Sequence, residues 1–180
     1  IIMVGAYTLS IAIGTLAFPP YLSILVSMIV CAVLGVLIEK IAYKPLRKAS
    51  PLTVLITAIG VSYFLQSLAL LLFGSKQQRV PSAIDIDPVK IGGLEISGES
   101  IVTLSVSIVL MVALTLFINF TKTGKAMLAV SEDKGAAQLM GINVNRTITV
   151  TFAIGSALAA IAGVLYASAY EFVGPYTGSL

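Results

Sequence analysis

Side chains able to do chemistry are scarce in this sequence. It has no His and a single cysteine, Cys31, so a zinc or haem centre has almost no ligands to draw on and no intrachain disulfide can form. No metal, cofactor or catalytic residue is expected. Asp, Glu, Lys and Arg are absent from 1–38, 49–75, 100–121 and 147–170. Within those runs Gln66 and Asn119 are the strongest polar groups, and no nucleophile stands with a base. Ionisable residues inside a membrane mark proton relays and ion pathways. Their absence disfavours a self-driven carrier, although a sodium site can be assembled from carbonyls and hydroxyls alone. If the protein moves a solute, the energy is expected to come from another subunit.

The segment richest in contact chemistry is 121–146, TKTGKAMLAVSEDKGAAQLMGINVNR. Ser131 is a suitable N-cap, and Glu132 and Asp133 follow where acids favour a helix start. Gly141 stands where a left-handed residue ends a helix. Between them the spacing predicts a helix of about ten residues presenting Ala136, Leu139 and Met140 at i, i+3 and i+4. Asn143 or Asn145 then caps the next element. Such a helix either rests on lipid headgroups or docks in a groove of a partner protein, passing the partner's movement to the helices that flank it.

The elements that hold this segment follow from the apolar runs. Hydrophobic residues make up 58% of the chain and charged ones 11%, against about 25% charged in a soluble domain. A charge at a bilayer centre costs roughly 2.5–3.5 kcal/mol, and about 20 apolar residues cross the hydrocarbon core. The runs therefore predict an all-α, polytopic transmembrane bundle with about five spans: 1–18, 21–38, 52–73, 101–120 and 147–170. Pro19-Pro20 divides the first run into a hairpin. The chain reads as one transmembrane domain cut at both ends, since it opens at Ile1 already apolar, without the basic stretch of a signal peptide. Loop 39–51 carries Lys40, Lys44, Arg47 and Lys48, and loop 121–146 carries Lys122, Lys125, Lys134 and Arg146. Loop 74–100 has only Lys76, Arg79 and Lys90 beside its acids. Positive residues mark the cytoplasmic side, which places 39–51 and 121–146 inside and 74–100 outside. The small net charge of +3 forms no basic patch interleaved with aromatics, so nucleic acid is not an expected partner.

Within the outer loop, Val89-Lys90-Ile91 and Leu94-Glu95-Ile96 flank Gly92-Gly93, a two-residue hairpin signal. The hairpin either caps the helix ends or meets a partner from outside. Small residues recur every fourth position: Gly155, Ala159, Gly163 and Ala167; Ala6, Ser10 and Gly14; Ser27, Cys31 and Gly35. They are expected at close helix contacts, which small residues permit within lipid; a lining of a translocation path has the same spacing.

The stretch Glu132-Asp133-Lys134-Gly135-Ala136-Ala137-Gln138-Leu139-Met140-Gly141-Ile142, followed by Phe152-Ala153-Ile154-Gly155-Ser156-Ala157-Leu158-Ala159-Ala160, closely resembles branched-chain amino-acid ABC-transporter permeases. So does Glu39-Lys40-Ile41-Ala42-Tyr43-Lys44-Pro45-Leu46-Arg47 with Leu55-Ile56-Thr57-Ala58-Ile59-Gly60-Val61-Ser62, and so does Asn145-Arg146 leading into the last span. The resemblance covers nearly the whole chain and is closest to the first of the two related permeases that pair in these transporters. It implies an importer permease fold in the inner membrane of a prokaryote and a second permease subunit. It also implies cytoplasmic ATP-binding subunits that carry the enzymatic step, and an extracytoplasmic solute-binding protein that delivers branched-chain or other hydrophobic amino acids. Importers of this class place Glu-Ala-Ala-x-x-x-Gly in the coupling loop. Ala136, Ala137 and Gly141 keep that spacing here. Gly135 stands where the Glu would be, leaving Glu132 or Asp133 to make the charge contact, and the downstream Ile-x-Leu-Pro is missing. The implied coupling helix, within 131–142, thus uses Glu132, Asp133, Gly135, Ala136, Ala137, Leu139, Met140 and Gly141. An ion-coupled secondary carrier and a sugar or nucleoside permease of related architecture are the competing readings. No residue of the spans is singled out as a substrate ligand.

Overall fold

The computed structural model describes residues 1–14, 19–74, 78–79, 89–91, 94–96, 98–170 and 172–173. Seven α-helices follow one another among the described residues: α1 (Ile2–Gly14), α2 (Pro20–Ile38), α3 (Pro51–Phe73), α4 (Gly98–Phe120), α5 (Lys122–Glu132), α6 (Lys134–Leu139) and α7 (Val144–Tyr170). Four are long and apolar enough to cross a membrane, namely α2 with the turn after it, α3, α4 and α7, while α1 is a shorter apolar helix. Residues 15–18 of the expected first span lie outside the described residues. Helices α2, α3, α4 and α7 lie over the other expected spans, each beginning one to three residues earlier, while α5 and α6 fall within the expected loop 121–146. Two of these starts use proline. Pro20 and Pro51 open α2 and α3, at the position where a missing N–H costs nothing and the fixed φ is already helical.

The chain forms two compact units, residues 1–83 with 152–180, and residues 84–151; the division falls inside α7. In the first unit, Met3, Ala6, Tyr7 and Leu9 of α1 form a buried cluster with Ala69 of α3 and with Val164 and Ala167 of α7. One face of α2 and of the turn after it is buried at five positions four apart, Ser23, Ser27, Cys31, Gly35 and Glu39. The Ser27 hydroxyl donates to the Gly5 carbonyl at 2.8 Å. That bond lets α1 and α2 approach closely, and without water it substitutes for the hydrophobic drive that two helices lack in lipid. A Cβ on Gly35 would overlap the Ser156 hydroxyl, so α2 also touches α7 through small residues.

The stripe ends on Glu39, fully buried and ion-paired with Arg47. Between the two residues the helix widens into a π-turn, Glu39–Tyr43, followed by a 3₁₀ turn, Pro45–Lys48. Turns of this kind occur where a helix is adapted to a functional site, and this one carries Tyr43 to Phe152 of α7, with ring centroids 5.1 Å apart and planes tilted by 41°. Two short strands, β1 (Gln78–Arg79) and β4 (Phe172–Val173), pair antiparallel in this unit.

The second unit holds α4, α5, α6, the start of α7 and a hairpin. In the hairpin β2 (Val89–Ile91) pairs antiparallel with β3 (Leu94–Ile96), Ile91 facing Leu94 and Val89 facing Ile96. The register is the one a two-residue connection requires; Gly92 and Gly93 themselves lie outside the described residues.

Candidate functional site

The segment between α4 and α7 is folded more tightly than its sequence suggested. Thr121 ends α4 and caps α5 at once. Its hydroxyl donates to the Phe117 carbonyl at 2.7 Å and accepts from the Gly124 N–H at 2.9 Å. A Cβ on Gly124 would lie 2.4 Å from the Ile118 Cα and 2.5 Å from two backbone oxygens, so no larger residue fits the corner. Helix α5 was not expected. Its signal was present in Thr121 as a cap and in the inward spacing of Met127 and Val130, but the charges around them read as loop.

The short helix expected within 131–142 also starts later than its sequence suggested. Ser131 is not its N-cap. It lies in the last turn of α5, where its hydroxyl donates to the Leu128 carbonyl at 2.6 Å. Asp133 is the cap instead, accepting from the Gly135 and Ala136 N–H groups at 2.7 and 3.1 Å. Both residues are competent caps by type, and Asp133 wins because the extended backbone break falls on it. Glu132 closes α5 rather than opening the next helix, and α6 is six residues long.

At the other end Gly141 has φ +80°. Its N–H donates to Gln138 and that of Ile142 to Ala137, both at 3.0 Å, the pair of bonds that satisfies the last carbonyls around a left-handed residue. Asn143, rather than Asn145, caps α7, accepting from the Arg146 N–H at 3.1 Å. Short helices are marginal alone, so α6 owes its order to the two caps and the helices on either side.

The expected contact residues divide sharply. Ala137 is buried, 4% exposed, whereas Leu139 is 91% and Met140 83% exposed. Glu132, Asp133, Gly135, Ala136 and Gly141 are exposed. The outward apolar surface is therefore Leu139 and Met140 at the end of α6. Ala137 is covered within the chain's own fold, so Ala137→Arg would disrupt α6 before testing any partner. Asp133→Ala is expected to cost the segment about 1 kcal/mol, with faster hydrogen exchange at the Gly135 and Ala136 amides and none at Val130; Ser131→Ala should leave these rates unchanged.

Of the α7 stripe, Gly163 and Ala167 are buried, Ala159 is half-buried and Gly155 is exposed. The close contacts run instead through Ser156, Ala160 and Gly163, which meet Gly35, Gly5 and Ile2 respectively. In the same unit a cleft of about 330 Å³ opens among α1, α2, α3 and α7, bordered by Gly35, Tyr43, Ser62, Gln66, Phe152 and Ala159. A second cavity of about 200 Å³ continues along α1 and α3 past Leu65 and Met3 to Leu72.

Apolar helices of membrane length, small-residue contacts and a polar segment rich in basic residues define a multi-pass helical membrane protein. All of residues 1–180 match the family model described as "Branched-chain amino acid transport system / permease component". The chain belongs to that family. It is 40% identical to the high-affinity branched-chain amino acid transport system permease protein LivH of Escherichia coli, over 84% of this chain and 51% of that protein. It is 38% identical to BraD of Pseudomonas aeruginosa, over 99% of this chain and 62% of the relative. It is 32% identical to a probable LivH of Methanocaldococcus jannaschii, over 99% and 58%. The chain thus spans about half to three-fifths of the length of the curated relatives it matches. No solved structure matches it.

Proposed function

We propose that this chain is part of the membrane-spanning permease subunit of an ATP-driven importer for branched-chain or other hydrophobic amino acids. In this reading it sits in the inner membrane of a prokaryote beside a second permease subunit. Loops 39–51 and 121–146 face the cytoplasm and 74–100 faces outside, where a solute-binding protein delivers the amino acid. Cytoplasmic ATP-binding subunits drive the cycle by gripping α6. The observation that carries the proposal is the geometry of that helix, capped at both ends between two longer helices and holding Leu139 and Met140 almost wholly outside. Side by side on a capped helix, these two side chains offer a partner's groove two apolar anchors. The family membership and the eight Lys and Arg of the two loops point the same way.

The test is site-directed crosslinking in the full-length protein in its native membrane. With Cys31 changed to Ser, a cysteine at Leu139 should bond to a cysteine placed in the groove of the ATP-binding subunit, with a yield that changes when ATP is added. A cysteine at Leu139 that is freely labelled by water-soluble reagents and never crosslinks would remove the ATP-driven reading in favour of a carrier that works without an ATPase.

A further inference from the structure

We propose that the cleft among α1, α2, α3 and α7 is a compartment of the solute's path, with Gln66 as its hydrogen-bonding group; this rests on the importer reading above. Helix α3 turns one continuous stripe toward the cavities. Ala58, Ser62 and Gln66 border the first, Leu65 borders both, and Ala69 and Leu72 border the second. The two spaces therefore lie in series along the helix, separated where Leu65 and Met3 meet them both. Each divider is a flexible aliphatic side chain able to swing between rotamers, methionine above all.

Gln66 is the feature that apolar packing does not explain. It stands about 22 Å from the start of α3 and about 10 Å from its end, well inside the span of a hydrocarbon core. At that depth a primary amide without a partner is costly. None of the side-chain hydrogen bonds among the described residues engages it. Asn119, the other strong polar group, is satisfied within its own helix by the Thr115 carbonyl at 2.9 Å.

Gln66 instead borders the larger cleft, with the Ser62 hydroxyl one turn away. An amide donates and accepts without carrying charge. It can receive the carboxylate or ammonium of a small zwitterion while the apolar wall takes an aliphatic side chain, and it lets go again. The occupant that fits is a small aliphatic amino acid, in a volume at the lower end of ligand pockets.

The experiment uses the assembled transporter in membrane vesicles, with Cys31→Ser and single cysteines at Gln66, Ser62 and Phe64. Phe64 lies about 200° around the helix from Gln66 and does not border the cleft. A hydrophilic methanethiosulfonate reagent is expected to label positions 62 and 66 at least tenfold faster than 64, and excess leucine with the binding protein should slow labelling at 66. In parallel, Gln66→Leu should raise the KM for leucine about tenfold at unchanged protein level, with partial rescue by Gln66→Asn. Labelling at 62 and 66 as slow as at 64 overturns the proposal, because the cleft is then filled by lipid or another helix. Labelling at 66 that leucine never slows, or an unchanged KM in Gln66→Leu, overturns the role of Gln66. Wet positions 62 and 66 in a protein with no ATP-dependent uptake would support the compartment and remove the importer reading alone.

Discussion

Gly163→Ala is expected to destabilise the protein while Gly155→Ala leaves it as stable or more so, although both glycines lie on the same helix and in the same four-residue series. A Cβ on Gly163 would lie 2.4 Å from the Ile2 carbonyl oxygen and 3.3 Å from the Ala6 nitrogen. Both atoms are backbone, so relief requires α1 as a whole to withdraw. Overpacking of this kind costs roughly 1–3 kcal/mol, and withdrawal of α1 would also disturb the bond from Ser27 to Gly5. Around Gly155 nothing lies within 4 Å of the position a Cβ would take, so alanine there keeps its ordinary helix advantage of up to about 1 kcal/mol. Thermal unfolding of the two variants in the same detergent measures the difference. Equal midpoints would mean that α1 does not rest on α7 at Gly163.

Replacing Leu139 and Met140 together by Asp is expected to lower ATP-dependent uptake by more than tenfold without lowering the amount of protein in the membrane. Both side chains are exposed, so this chain's own fold loses little when they become polar. A partner's groove would lose its two apolar anchors and would bury charge in their place. Losing a buried anchor at a protein interface costs 2 kcal/mol or more, about thirtyfold in affinity. Gln138→Asp, exposed on the same short helix, is the control and should retain most of the uptake. Wild-type uptake in the double variant would show that α6 transmits nothing through these residues and rests on lipid or on nothing at all.

The contrast between Gly155 and Gly163 shows what the sequence carried and where it stopped. Residues four apart on an α-helix drift by about 40° per step, so Gly155 and Ala167 differ by about 120° and cannot share one narrow contact. The small-residue pattern announced that α7 packs closely. Only the position of α1 and α2 chose Ser156, Ala160 and Gly163 as the contact line. The same pattern on α2 stayed in contact throughout, because Ser27 faces α1 and Gly35 faces α7, and it ran one residue further than its small members to the buried Glu39.

The apolar helices and the polar segment between α4 and α7 were legible from sequence because transfer into hydrocarbon is close to a sum over residues. A charge-free run signals itself without knowledge of any neighbour. The glycine end of α6 was legible for a similar reason, since a left-handed position excludes most other residues by local sterics. Choices among chemically equal candidates were not. Ser131 and Asp133 can each cap a helix, and so can Asn143 and Asn145; the corner at Thr121 and Gly124, which adds α5, decided where the backbone breaks. The i, i+3, i+4 spacing already set Ala136, Leu139 and Met140 on one presented face, but no sequence pattern could show that Ala137 turns inward or that Gln66 borders a cleft. Those are matters of helix rotation and spacing, set by contacts between residues far apart in the chain, and the tertiary structure alone decided them.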